Sequence, residues 1–302
     1  AGVNANVSNS NTIGGVLFQN TTTWYLGRFN TGIDKTTDGG ASYTNISSGM
    51  KGITNATPKL IITSGGRLLY AFGGIGYQLS IDNGSTWNLI NTGNANRSIN
   101  GFLRLSDGTI LAYGFGGIIR TSDQGNTWVQ QTATSASSLT TGTGINVYSY
   151  NSATISKSTD QGVTLNAMAL TGMPASYSIQ KVVADTSDNL YIYLFNSSTS
   201  TSELWKVASP GLAATKVTAY SGSGIADIAV TGTNLFVVFG AQLFKSTDGG
   251  ASFTISTLST GGALIWAVDV NNLYVQGQTA GVFIASVDGG ASWTTKTPVD
   301  NT

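Results

Sequence analysis

One eight-residue pattern recurs along the chain: Ser/Thr, any residue, Asp, any residue, Gly, any residue, Ser/Thr, aromatic. Thr36, Asp38, Gly40, Ser42 and Tyr43 fill it first, then Ser80, Asp82, Gly84, Thr86 and Trp87. Thr121, Asp123, Gly125, Thr127 and Trp128 follow, and Ser158, Asp160, Gly162 and Thr164 carry Leu165 in place of the aromatic. The last two are Ser246, Asp248, Gly250, Ser252 and Phe253, and Ser286, Asp288, Gly290, Ser292 and Trp293. Successive aspartates lie 44, 41, 37, 88 and 40 residues apart, so the gap of 88 spans two periods. A decayed copy sits inside it: Gly211 keeps its place, with Ser209 for the aspartate and Ala214 for the aromatic. Lys206 stands three residues before Ser209, as Lys35, Arg120, Lys157 and Lys245 stand before their aspartates. A repeat of this length signals a propeller or a solenoid.

The residue types of the pattern describe a turn. Asp accepts hydrogen bonds from main-chain amides two or three residues on, and Gly supplies a positive φ. The aromatic is expected to point inward and pack the hairpin against its own blade. Apolar runs recur upstream of the turns, at Leu68–Phe72, Ile110–Tyr113, Leu190–Phe195, Leu235–Phe239 and Leu273–Val275. Their continuity suits strands buried on both faces. Each follows a further apolar strand, such as Leu60–Ile62 or Ile228–Val230, and precedes the strand that ends in the turn. With an outer strand after the turn, each unit has four strands, A to D.

The pattern resembles the Asp-box, or BNR repeat, of sialidases, xyloglucanases and other propellers. The resemblance implies an all-β, seven-bladed β-propeller with four antiparallel strands per blade and the boxes between strands C and D. The boxes lie near residues 38, 82, 123, 160, 209, 248 and 288. Residues 1–11 are expected to be a linker or cover, and 12–302 a single propeller. The box residues Asp38, Asp82, Asp123, Asp160, Asp248, Asp288, Tyr43, Trp87, Trp128, Phe253 and Trp293 are expected to be structural. In resembling enzymes the active site lies on the opposite face, formed by the B–C and D–A loops.

Composition narrows the function classes. Only 9% of residues are charged, against roughly 25% in an ordinary soluble domain. Net charge is zero and no basic run appears, which argues against a nucleic-acid partner. No stretch of about 18 apolar residues exists to span a membrane. Histidine and cysteine are both absent, which removes disulfides, thiolate chemistry and the commonest general base and metal ligand. No cofactor and no metal site is expected, since each box offers one carboxylate where calcium wants six or more oxygens.

Few acids remain for catalysis. Asp107, Asp185, Asp188 and Asp269 fall at A–B turns, beside the boxes. Asp34, Glu203 and Asp227 are left for the strands and the opposite loops. Asp227 opens strand A of blade six and Glu203 opens strand C of blade five. They are the candidate pair for a glycoside hydrolase, but strand spacing puts them roughly 15 Å apart, beyond the 5–9.5 Å that such chemistry uses. The sialidase resemblance would require three arginines gripping a carboxylate, an Arg-Ile-Pro motif and a Tyr–Glu pair. The chain has five arginines, of which Arg67 and Arg120 fall on the box side, and Glu203 is the single Glu. The resembling photosystem-assembly propeller carries an arginine cluster that is likewise missing. Tyr150, Tyr177 and Tyr220 fall in loops of blades four to six and are the candidate ligand-binding residues, among Gly, Ser, Thr and Asn suited to sugars.

The expectation is therefore a non-catalytic binding or structural module that is secreted or on a cell or virion surface: an adhesion, receptor-binding or assembly component. Its partner is a glycan or a protein on the face opposite the boxes. The alternative is an Asp-box glycoside hydrolase. Blade five, with its decayed turn, is expected to have a differently shaped and more mobile corner.

Overall fold

The computed structural model describes residues 13–28, 32–51, 59–72, 76–90, 99–132, 136–222, 224–278 and 282–296. The expected linker 1–11, Arg97 and Asp300 lie outside them. The described residues form seven four-stranded antiparallel sheets and no helix, the fold of a seven-bladed β-propeller. None of the described residues therefore belongs to a helix long and apolar enough to cross a membrane.

Strands A to D of blade one are Ile13–Phe18, Trp24–Arg28, Gly32–Thr36 and Thr44–Asn45; those of blade two are Lys59–Ile62, Leu68–Phe72, Gly76–Ser80 and Asn88–Ile90. Blade three has Ile99–Arg104, Ile110–Gly114, Gly117–Thr121 and Val129–Thr132. Blade four has Ser138–Thr141, Val147–Tyr150, Ile155–Ser158 and Asn166–Ala167. Blade five has Ser178–Ala184, Leu190–Asn196, Thr201–Val207 and Ala214–Lys216. Blade six has Asp227–Thr231, Asn234–Phe239, Gln242–Ser246 and Thr254–Thr257. Blade seven has Gly262–Ala267, Leu273–Gly277, Phe283–Ser286 and Thr294–Thr295.

The chain separates into two compact units, residues 1–139 with 160–164 and 297–302, and residues 140–159 with 165–296. In the first, apolar layers form between neighbouring blades: Tyr25, Ile33, Ile62, Leu68, Tyr70 and Trp87 join blades one and two. In the second, Tyr191, Leu204, Ile228, Leu235 and Phe244 join blades five and six. The B strands of blades two and six are buried from both sides, as their unbroken apolar sequence requires: Leu68, Leu69, Tyr70 and Ala71 have no exposed surface, nor do Leu235, Phe236, Val237 and Val238.

All seven repeated turns join strands C and D. In the corner of blade six, Ser246 Oγ donates to Asp248 Oδ1 (2.8 Å) and accepts from Gly250 N (2.8 Å). Ser252 then gives its amide to Asp248 Oδ1 (2.9 Å) and its hydroxyl to Oδ2 (2.5 Å). The same Ser/Thr amide and hydroxyl bonds hold Asp38, Asp82, Asp123, Asp160 and Asp288. The shared amide contact runs four residues on, not two or three, because two left-handed residues are interposed. These are Gly39–Gly40, Asn83–Gly84, Gln124–Gly125, Gln161–Gly162, Gly249–Gly250 and Gly289–Gly290.

The corner aromatics do more than brace their own blade. Trp87 Nε1 donates to Ile46 O of blade one (2.8 Å), and Trp128 stacks on Tyr77 of blade two at 4.9 Å. They close the seam with the preceding blade. The side of the sheet they emerge from faces that neighbour, and sequence spacing alone does not say which side that is.

Candidate functional site

The repeated basic residue of strand C has a structural role. Lys35, Lys157, Lys206 and Lys245 each lie over the ring of the strand-B residue opposite them, Tyr25, Tyr148, Tyr191 and Phe236, at 5.7, 5.2, 5.3 and 5.9 Å. Lys206 and Lys245 also reach the next blade's corner, donating to Gly249 O (2.8 Å) and Gly289 O (3.3 Å). Arg120 reaches Gln161 in the same way. The other described arginines are likewise committed: Arg28 to Asp34 (2.7 Å), Arg67 to Asn126 (3.0 Å) and Arg104 to Ile62 O (3.0 Å).

Asp227 is 4% exposed at the start of strand A of blade six. Its Oδ1 takes Lys181 Nζ from strand A of blade five (2.7 Å), and its Oδ2 takes the Ile265 amide from strand A of blade seven (3.0 Å). It ties three consecutive inner strands. Both oxygens are occupied, and no bond links it to Glu203.

Glu203 lies on strand C of blade five with Lys216 Nζ at 2.7 Å and Trp205 Nε1 at 2.8 Å. Burial pushes its pKa up, but the bonds from Lys216, Trp205 and Tyr177 outweigh that and hold it below the usual carboxylate range. The Tyr177 hydroxyl also meets Thr201 Oγ1 (3.1 Å), which meets Thr199 Oγ1 (2.7 Å). Tyr177, Glu203 and a line of exposed hydroxyls thus come together at the loop end of blade five. Tyr150 packs with Tyr177 and Trp205 against one apolar layer.

Tyr220 goes elsewhere. Its ring packs against Phe244 (4.9 Å) and Phe253 (6.0 Å), its hydroxyl donates to Gly224 O, and burial raises its pKa. Phe115 is one residue that sequence reasoning passed over, as it did Trp205, Lys216, Thr199 and Thr201. It sits in the B–C turn of blade three and is 77% exposed. Its signal was a bulky aromatic inside Gly114-Phe115-Gly116-Gly117, too short a turn to fold it back. Among the described residues no three acidic side chains converge as a metal site would need.

No family model and no curated protein matches the chain. Solved structures do. YCF48 bound to a D1 peptide is 17% identical, with a TM-score of 0.71 over 91% of this chain and 93% of that one. The xyloglucanase of Xanthomonas campestris is 16% identical, with a TM-score of 0.72 over 95% of this chain and 54% of that one. Virginiamycin B lyase of Staphylococcus aureus with quinupristin is 16% identical, with a TM-score of 0.64 over 94% and 97%. At these identities the likeness is one of fold. The neighbours include a peptide-binding protein and enzymes.

Proposed function

We propose that the chain is a non-catalytic Asp-box propeller that binds a glycan or protein partner at the loop ends of its blades, on a cell or virion surface or in a secreted assembly. The observation that carries this reading is the state of the two candidate acids. Glycoside hydrolysis needs a carboxyl group that holds a proton for the leaving oxygen, with its pKa raised. Glu203 is held ionised by three donors, and Asp227 spends both oxygens on neighbouring strands. What remains at the loop end of blade five is a binding chemistry: half-buried Tyr177 and Trp205 rings beside the hydroxyls of Thr199 and Thr201. YCF48 with its peptide is a precedent for binding by this fold.

A glycan array and pull-downs with Tyr177→Ala and Thr201→Val test it. Retention by the parent chain and loss in these variants, with melting unchanged, supports the reading. The alternative is a glycoside hydrolase using Asp227 with another acid, for which the xyloglucanase is the precedent. Turnover of any glycoside that disappears in Asp227→Asn would establish that alternative instead.

A further inference from the structure

At five seams the corner glycine of one blade docks on the blade before it. A Cβ on Gly84 would strike Ile46, one on Gly125 would strike Leu69, and one on Gly162 would strike Leu111. One on Gly250 would touch Val217 and Tyr191, and one on Gly290 would strike Leu243. Gly211 is different. It is exposed, and a Cβ there would meet only the carbonyl of Ala208, nothing of blade four. Pro210 precedes it, and proline cannot take the positive φ that the first residue of the pair needs.

The undocked corner leaves a groove of about 310 Å³ between the outer edge of blade four and residues 209–212. Met168 lines it. Met168 lies three residues after Leu165, as Ile46 lies after Tyr43 and Val217 after Ala214, the positions that receive the next glycine. Tyr148 and Lys157 line it too, in the places that Tyr191 and Lys206 hold beneath the docked Gly249–Gly250. Where Lys206 donates to Gly249 O, Lys157 donates to Asp188 Oδ2 (3.0 Å), with 29% of its side chain exposed. An ammonium has three donors, so beyond Asp188 and the Tyr148 hydroxyl Lys157 keeps capacity for one further acceptor. A second hollow of about 410 Å³, at the seam of blades six and seven, is lined by the docked Gly289–Gly290 itself and polar residues of the outer strand.

We propose that the groove between blades four and five is a binding site for a peptide turn of a partner protein, an Asp/Asn-Gly turn followed by an aromatic. That is the chemistry this chain supplies to its other seams, with Leu165 in place of the aromatic at one of them. The turn carbonyl would accept from Lys157, and the glycine and aromatic would cover Met168 and Pro210.

The test uses the whole chain and a cyclic peptide of the sequence Ser-Thr-Asp-Gly-Gly-Ala-Ser-Phe, copied from 246–253. Only three methionines occur, so the Met168 methyl is a resolved NMR reporter. The expected result is a saturable shift of Met168, with affinity falling at least about tenfold, or about 1.4 kcal/mol, when residues 207–214 are replaced by the blade-six corner. Ala169→Trp, at an exposed position on the groove wall, should produce the same loss if the graft does not fold. No saturable shift of Met168 would overturn the proposal. So would undiminished binding by the variants, or an equal response to free indole, which would make the groove a small-molecule cavity.

Discussion

The corners of blades five and six are built on the same frame. Each has a lysine lying over a tyrosine or phenylalanine of strand B and a glycine five residues after that lysine. In blade six the aspartate gathers Ser246 and Ser252, two left-handed glycines turn the chain inward, and Gly250 seats against blade five. In blade five Ser209 and Pro210 replace the aspartate and the first left-handed residue, and the corner stays outside. It is held instead by a strand-like bridge from the preceding connection: Thr171 N donates to Leu212 O (3.0 Å) and Ala214 N to Thr171 O (2.8 Å). The aspartate's service to the fold is thus to make the backbone fold back far enough for the glycine to dock.

The largest expected effect tests the aromatic that only the complete corners have. Trp128 is 8% exposed in the seam of blades two and three, and Trp128→Ala should cost about 3–5 kcal/mol. Thermal melting measures it. Ala214, in the same position of blade five, has no such ring to lose.

Glycine substitution sharpens the contrast. Gly250 has φ +91°, a backbone conformation that a side chain strains, so Gly250→Ala should cost about 1–3 kcal/mol. Gly211 has no positive φ and its Cβ would meet one carbonyl, that of Ala208 at 3.0 Å, so Gly211→Ala should cost less, about 0.5–1 kcal/mol. Equal losses in denaturant titrations would show that the fifth corner is docked after all.

The aspartate itself comes next. Asp123→Ala removes the acceptor for Thr121 Oγ1, Thr127 N and Thr127 Oγ1, and should cost about 1.5 kcal/mol, the lower end for bonds to a charged group. Hydrogen exchange should show the outer strand of blade three, Val129–Thr132, loosening first.

The seven-fold repeat was legible in the sequence because the turn demands fixed residue types at fixed offsets. Even the decayed copy kept Lys206 and Gly211. Long-range partners were not legible. Nothing in the spacing says that Lys181 and the Ile265 amide will take Asp227, or that Tyr177 and Lys216 will converge on Glu203. Tyr220 read as a loop residue because its sequence neighbours are polar, yet Phe244 and Phe253 from the next blade enclose it. The seam role of Trp87 and Trp128 was hidden for the same reason, since it depends on the neighbouring blade.

The smallest effect is a pH dependence. The hydroxyl and amide of Thr86 hold the Asp82 pKa at about 2, and those of Ser292 hold Asp288 at about 2. Asp38 and Asp248 are lowered as well, by Ser42 and Ser252. A depressed folded-state value means that the contribution is complete above the unfolded value near 3.9 and is lost as the pH falls through about 2. Amide exchange at Thr86 should therefore accelerate below about pH 3 relative to Ala214, whose partner is a neutral carbonyl. Parallel acceleration at both amides would break the comparison.

The most direct test of binding without catalysis is mass spectrometry of the glycans that the chain retains from a mixed library after prolonged incubation. The account predicts that every glycan of the library, retained or not, keeps its mass. Shorter products would contradict it, whether their masses sum to the parent plus water, as in hydrolysis, or to the parent alone, as in elimination.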